Sequence, residues 1–166
     1  KAATIAIAEH DGPVYLRFGR PKVPNFTPSN APFVIGKADI LTQGNDVTIC
    51  ANGHLVWEAL EAANALEAEG IHAEVINFAT IKPLDLESLL ASVGKTGRVV
   101  TAEEHQRHGG LGDSIAQALG MHLPSPIEMV AVNDSFGESG TPAQLLTKYG
   151  LDAANIVAAV KRVMNR

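Results

Sequence analysis

Cysteine is nearly absent from this 166-residue chain, and its scarcity limits the possible classes of protein. Cys50 is the one cysteine, so no disulfide can form within the chain, and its place in an apolar run favours a reducing, cytoplasmic setting. Hydrophobic residues make up 46% of the sequence. Because a chain of this length hides roughly 70% of its unfolded surface on folding, the core requires neither a disulfide nor a metal.

Clusters of basic residues and long apolar runs are also missing. Thirteen Lys and Arg stand against eighteen Asp and Glu, for a net charge of −5, so the chain lacks the basic footprint of a nucleic-acid-binding protein. No apolar run approaches the ~20 residues of a membrane span, and no segment resembles a secretory signal. We expect a cytoplasmic protein that binds neither nucleic acid nor membrane, with one domain or slightly more.

The first residues lack both a methionine and a helix cap. Residues 1–10 have the apolar pattern of a helix interior, which predicts a chain cut from a longer protein. Val14–Phe18 is rich in β-branched and aromatic residues and is predicted to be a strand. Residues 19–36 contain four prolines, which exclude a helix or central strand. The predicted parts are the end of a preceding domain at 1–20, a Pro-rich linker at 21–36 and a separate domain at 37–166.

Strands and helices alternate through the third part. The predicted strands are 38–42, 46–52, 73–78, 98–103 and 127–132. The predicted helices are 54–69 with Asn52 as cap, one from Asp85 to Gly94, one after the glycine-rich loop 109–112, and two that begin at Thr141 and Asp152. Helical connections between strands require crossovers and hence a mostly parallel α/β sheet with helices on both faces. The short turn at 43–45 predicts that the first two strands are antiparallel.

The densest polar cluster follows the fourth predicted strand, at the sheet edge where α/β proteins bind ligands. It contains Glu103, Glu104, His105 and His108. These side chains suggest a metal site, but the HExxH order is absent, and a polar interface loop is the favoured interpretation. The glycines at 109–112 suggest a phosphate cradle at a helix start, although the dinucleotide fingerprint and the P-loop lysine are both missing.

Other candidate sites are weaker. Ser139 lies in a sequence similar to a nucleophile elbow but without its final glycine, so a turn residue is favoured. Residues 52–54 begin a helix and could receive an anion, yet a capping role explains them. Cys50 is interpreted as a buried structural thiol. Arg17 and Arg20 follow the first predicted strand, where a guanidinium group can hold a phosphate or carboxylate.

Four segments in order resemble the C-terminal part of transketolases, which are thiamine-diphosphate enzymes. The segments are Gly12–Arg20, Asp46–Gly53, Thr101–Gly112 and Phe136–Leu151. The last contains Phe-Gly-Glu-Ser-Gly and a later Leu-Leu pair, similar to the closing FGxSG and LL motifs of the family. The resemblance covers nearly the whole chain. No single motif is specific for the family, but the order and spacing of the four segments are.

The resemblance implies a three-layer α/β/α domain at 37–166 with a five-stranded, mostly parallel mixed sheet whose first strand is antiparallel. Residues 1–20 would be the remnant of a pyrimidine-binding domain. In the intact enzyme, thiamine diphosphate and Mg²⁺ or Ca²⁺ would be held by parts that precede Lys1, so this chain would hold no catalytic residue, cofactor or metal. The implied partners are the remaining transketolase domains or an N-terminal subunit, within a homodimer that binds sugar phosphates.

The implied activity is transfer of a two-carbon ketol unit between sugar phosphates, in pentose phosphate metabolism, by the intact enzyme and not by this chain alone. Arg20 is the implied phosphate ligand, with Arg17 as its alternative, because the usual Ser-Arg-Gln context is Gly19-Arg20-Pro21 here. Within the class, the alternatives are a deoxyxylulose-phosphate synthase and the β subunit of a 2-oxoacid dehydrogenase. Outside it, they are a stand-alone interaction or regulatory domain and a small metalloenzyme.

Overall fold

The computed structural model describes residues 1–19, 21–28 and 31–166 and contains a five-stranded sheet. The strands are β1 (Asp39–Ile40), β2 (Val47–Ala51), β3 (Ala73–Asn77), β4 (Val99–Gln106) and β5 (Ile127–Val132). The helices are α1 (Ala2–Ala8), α2 (Leu55–Glu67), α3 (Leu86–Thr96), α4 (Leu111–His122), α5 (Pro142–Lys148) and α6 (Ala153–Met164). The strand order is β1-β3-β2-β4-β5. β1 is antiparallel to β3, and the other neighbours are parallel.

Side chains of the strands alternate between the two faces of the sheet, and helices cover both faces. Ile49 of β2 lies in a buried cluster with residues of α2 and α6. Its neighbour Cys50 lies in a second buried cluster with residues of α3 and α4. This alternation follows from the two-residue period of a strand. The predicted three-layer α/β/α fold, with a mostly parallel mixed sheet and an antiparallel first strand, is confirmed.

The neighbour of the first strand differs from the prediction. The turn at 43–45 predicts a hairpin between β1 and β2, whereas Asp39 of β1 lies opposite Asn77 of β3. The connection crosses the beginning of β3 to reach β2 on the far side. Gly44 passes so close that a Cβ atom there would overlap the backbone around Ala73. The turn is therefore a crossing, which depends on the missing side chain of Gly44.

Two helix boundaries also differ from their predictions. Asn52 does not cap α2, because its backbone N–H still donates to β4 and the first capping position belongs to His54, which makes no side-chain capping bond. Gly94 does not end α3. The helix continues to Thr96 and ends at Gly97, whose φ of 72° is left-handed. A single glycine costs a helix interior only about 1 kcal/mol relative to alanine, so Gly94 is tolerated within it.

The region before the sheet is only partly as predicted. The helix predicted for the first residues is confirmed as α1. The strand predicted at Val14–Phe18 is wrong: residues 13–19 have no regular structure. A strand needs a neighbour for its backbone N–H and C=O groups, and the described residues provide none. Tyr15 and Phe18 are consequently 86% and 83% exposed.

The division into parts at 1–20, 21–36 and 37–166 stays a prediction. Phe26, within the proposed linker, is partly buried against the cluster formed by α2 and α6. Within the described ranges, no helix is both long enough and apolar enough to cross a membrane.

We predict that Gly44→Ala destabilises the domain, because the added methyl group has no space beside the start of β3. The loss in unfolding free energy should be about 1–3 kcal/mol, typical of overpacking, as measured by urea denaturation. Gly120→Ala is the matched control. Gly120 lies inside α4 with open space around its Cβ position, so alanine should stabilise the chain by up to about 1 kcal/mol. Equal effects of the two substitutions would contradict the crossing.

Candidate functional site

The sheet reverses its order of growth between β2 and β4. From β2 the chain moves to β3 on one side and then returns to β4 on the other. In open α/β sheets, the crevice at the carboxyl ends of two such strands is the usual ligand site. Here the crevice lies between residues 52–54, which follow β2, and the last part of β4. The polar cluster predicted from the sequence therefore lies at this position.

β4 is irregular where its polar residues begin. Ala102 lies opposite Val130 of β5, but the next registered pair is Gln106 with Val132, so residues 103–105 form a bulge. A bulge redirects side chains and is common beside functional sites. The carboxylates of Glu103 and Glu104 diverge at this point, one towards α4 and the other towards the beginning of α2.

Glu103 is almost completely buried, with 1% exposure. Its two carboxylate oxygens accept hydrogen bonds from the backbone N–H groups of Leu111, at 2.7 Å, and Gly112, at 2.8 Å. These groups belong to the first turn of α4, where unpaired amides and the helix dipole favour an anion. Glu103 therefore caps α4, although it lies eight residues before the helix begins.

The carboxylate of Glu103 explains the glycine-rich loop. A Cβ atom on Gly110 would overlap that carboxylate, and one on Gly112 would crowd it at 3.3 Å. A phosphate would need the same amides that Glu103 already occupies. Beside them, the Asp113 carboxylate accepts the backbone N–H of Gly109 at 2.7 Å. The phosphate cradle suggested by residues 109–112 is therefore contradicted: a buried carboxylate fills it.

Glu104 joins the two strand ends across the crevice. Its Oε2 lies 2.8 Å from Nδ1 of His54, the residue that immediately precedes α2. The His54 side chain is only 12% exposed, whereas that of Glu104 is 45% exposed. The ring of His54 is therefore held in one orientation by a carboxylate on the neighbouring strand. In the hydrogen bonds of the described residues, neither side chain contacts a second acidic group or a nucleophile.

The segment before the linker lies over this pair. Both terminal nitrogens of Arg17 donate to the backbone oxygen of Glu104, at 3.4 and 3.3 Å. Gly19 lies against the ring of His54, so closely that a Cβ atom would overlap Cε1 and Nε2. Arg20, the predicted phosphate ligand, lies outside the described residues. The structure thus brings Arg17 to the carboxyl edge, but commits its guanidinium group to a backbone contact.

The remaining sequence candidates lie apart from any catalytic arrangement. His105 and His108 are exposed, and Nδ1 of His105 lies 2.7 Å from the backbone oxygen of Gln106. Across residues 1–19, 21–28 and 31–166, no three His, Cys, Asp or Glu residues group as metal ligands. Ser139 lies in an exposed loop. Cys50 is fully buried, and burial, followed by the charge of Glu74, raises the pKa of its thiol, which disfavours the nucleophilic thiolate.

The residues of the carboxyl edge do not fit thiamine diphosphate. A diphosphate requires free amides or cations, and the helix start that offers amides is filled by the buried carboxylate of Glu103. Placing a second anion there would add like-charge repulsion in a desolvated position. The start of α4 therefore does not fit a diphosphate.

The fold and this edge define an α/β domain whose usual ligand crevice is filled by its own side chains. A family model for the transketolase C-terminal domain matches residues 36–156. The chain therefore belongs to the transketolase family, as the resemblance of its motifs indicates.

Similar proteins include subunits and longer enzymes. The chain is 47% identical over 166 residues, 100% of its length, to the "6-deoxy-6-sulfo-D-fructose transketolase subunit SqwH" of Clostridium sp. (strain MSTE9), of which it covers 52%. It is 37% identical over 158 residues, 93% of its length, to the 1-deoxy-D-xylulose-5-phosphate synthase of Heliobacterium modesticaldum (strain ATCC 51547 / Ice1), of which it covers 24%. The chain thus spans about half, or less, of these curated relatives.

A solved structure has the same fold over nearly the whole chain. It is described as a split-gene transketolase, inactive beta4 tetramer, and its TM-score is 0.96 at 49% identity. The match covers 99% of this chain and 54% of that one. This chain therefore shares its fold with a solved structure described as a transketolase.

The sequence predicts the position of the polar cluster but does not predict two of its contacts. The cap formed by Glu103 was detectable only as a glutamate followed by a glycine-rich helix start, a pattern shared with phosphate loops. The contact between Gly19 and His54 joins residues far apart in the sequence, and no local pattern indicates it. His54 itself was considered only as part of a possible anion site.

We predict that Glu103→Gln destabilises the domain, because an amide offers one acceptor oxygen to two buried N–H groups. Leaving one of these donors unpaired should cost about 1–3 kcal/mol of unfolding free energy, measured by urea denaturation. Glu61→Gln, the same change at an exposed position of α2, is the control and should stay within about 0.5 kcal/mol of wild type. A Glu103→Gln chain as stable as the control would refute the cap.

Proposed function

We propose that this chain is the C-terminal section of a transketolase-type enzyme that moves a two-carbon ketol unit between sugar phosphates, and that it is inactive alone. The filled crevice carries this proposal: the edge where an α/β enzyme normally reacts is occupied by Glu103, His54 and Glu104. The chemistry then belongs to the rest of the enzyme. The chain covers 52% of a relative that is named a transketolase subunit, which supports its being one section of a longer protein.

The exposed apolar side chains before the linker fit such an assembly. Val14, Tyr15, Leu16 and Phe18 are exposed by 44%, 86%, 38% and 83%. A contiguous apolar segment of this kind is typical of a surface that another element covers. In our proposal, the covering element is the preceding transketolase section, which would provide the strand neighbour that Val14–Phe18 lacks here.

The rest of the enzyme would also provide thiamine diphosphate and Mg²⁺ or Ca²⁺, held by residues outside this chain. When bound, the cofactor supplies the carbanion stabilisation that ketol transfer requires. This chain would contribute phosphate binding through Arg20, since Arg17 already donates to a backbone oxygen. A cytoplasmic location and a homodimeric complete enzyme remain predictions, as does a role in pentose phosphate metabolism.

A deoxyxylulose-phosphate synthase is the second candidate. It is favoured by the 37% identity to such an enzyme over 158 residues. The two candidates differ in their donor, because the synthase decarboxylates pyruvate, as would a 2-oxoacid dehydrogenase β subunit. The sugar itself is open as well: the 47% identical relative is named for a sulfo-sugar, and a sulfonate, like a phosphate, presents negative charge and three acceptor oxygens to an arginine.

We predict that ketol transfer requires both this chain and the section that precedes it. The 166-residue chain alone should show no transfer with thiamine diphosphate and Mg²⁺ added, and the complete enzyme should transfer a ketol unit from a sugar phosphate. Parallel assays with pyruvate and with 6-deoxy-6-sulfo-D-fructose compare the donors. Activity of the isolated chain would contradict the proposal, and pyruvate decarboxylation without ketol transfer would favour the synthase or the 2-oxoacid dehydrogenase β subunit over a transketolase.

We predict that Arg20→Ala in the complete enzyme raises KM for phosphorylated substrates roughly ten- to hundredfold, since it removes charge-assisted hydrogen bonds to the phosphate. KM for unphosphorylated analogues should change little, because they never make these bonds. Lys22→Ala, which removes a nearby positive charge, is the control for general electrostatics. Equal effects of Arg20→Ala on both classes of substrate would refute the assignment of Arg20 as the phosphate ligand.

A further inference from the structure

Three contacts converge at the crevice between β2 and β4, directly before Arg20 in the chain. Glu104 holds Nδ1 of His54 at 2.8 Å. The same ring lies against Gly19, whose missing side chain makes the approach possible. The backbone oxygen of Glu104 accepts both hydrogen bonds from Arg17. Two residues of one short segment are thus attached to one histidine–glutamate pair of the α/β domain.

We propose that Gly19, His54 and Glu104 form a seat that positions the segment leading into Arg20, and thereby the phosphate-binding group of the enzyme. The proposal rests on the proposed function for the role of Arg20. The three seat residues act through that arginine and do not themselves touch substrate, so they are positioning residues.

The seat is specific because its parts depend on one another. Glu104 holds the imidazole of His54 through Nδ1, so the ring turns its Cε1 and Nε2 edge towards the backbone of Gly19. A methyl group on residue 19 would force the ring away from Glu104. Among the described hydrogen bonds, loss of the ring would leave those of Arg17 to Glu104, which at 3.3 and 3.4 Å are long and exposed.

The seat requires glycine at residue 19. With His54 held by Glu104, no side chain larger than hydrogen fits at residue 19. The backbone can therefore lie directly on the ring. A small error in the position of a substrate-binding group is costly for an enzyme, so a rigid contact one residue before the arginine has a functional consequence.

The first test measures the seat in the 166-residue chain, without any enzyme assay. In this proposal, Arg17 must leave the backbone oxygen of Glu104 to enter the trypsin site, so the seat slows cleavage after Arg17 and the rate follows the population of the open form. Gly19→Ala and His54→Asn should each raise the cleavage rate between residues 17 and 18, read by mass spectrometry, roughly two- to tenfold. The controls are Gly137→Ala, with open space at its Cβ position, and His122→Asn, at an exposed helix end.

The second test measures positioning in the complete enzyme. Gly19→Ala should raise KM for phosphorylated substrates about tenfold while KM for unphosphorylated analogues stays near wild type, the pattern of lost ground-state binding. Adding His54→Ala removes the ring that the new methyl group strikes. The double variant should therefore lose less than the product of the two single effects, a coupling that a purely destabilising change would not show.

The possible results separate the seat from the proposed function. Unchanged cleavage in both Gly19→Ala and His54→Asn would overturn the seat, whatever the activity of the enzyme. Faster cleavage with unchanged KM would overturn the positioning role alone. A wild-type enzyme without ketol transfer would refute the proposed function and the positioning role with it, while cleavage would still report whether the seat exists.

Discussion

The reversal of strand order between β2 and β4 determines what this domain can do. A parallel sheet that grows first to one side and then to the other leaves a gap between the helices at its carboxyl edge. Two helices, α2 and α4, begin at this gap, and each presents unpaired N–H groups there. Side chains, water or a ligand can satisfy such groups. At α4, the buried carboxylate of Glu103 in β4 does so.

The bulge in β4 allows Glu103 and Glu104, which are neighbours in the sequence, to reach different helices. In a regular strand, neighbouring residues alternate between faces, and the bulge adds a change of direction at the point where the sheet ends. Glu103 reaches the first amides of α4, while Glu104 reaches the residue before α2. The bulge thus closes the start of α4 to an anion, whereas Glu104 contacts the ring of His54 and not the first amides of α2. The His54–Glu104 pair also contacts the Arg17–Gly19 segment, through the backbone oxygen of Glu104 and the ring of His54.

The sequence predicted the layers of the fold well, because they depend on local and periodic signals. β5 has its predicted ends at Ile127 and Val132, and Asp85 caps α3 through a bond from the backbone of Ser88, since buried strands and capping residues act over a few neighbours. The place of β1 was missed because it depends on Gly44 passing beside β3. A short turn between two strands indicates a hairpin only when nothing favours a crossing.

The site was predictable in position but not in its contacts, for the same reason. Glycines at 109–112 mark a helix start that approaches an anion closely, and the sequence does not say whether that anion is a ligand or Glu103. Burial decides it, because a carboxylate with 1% exposure must be paired by the amides it meets. The strand predicted at Val14–Phe18 is wrong for a different reason. Its residue types suit a strand, but a strand forms only when a second strand pairs with it, and the described residues provide no such partner.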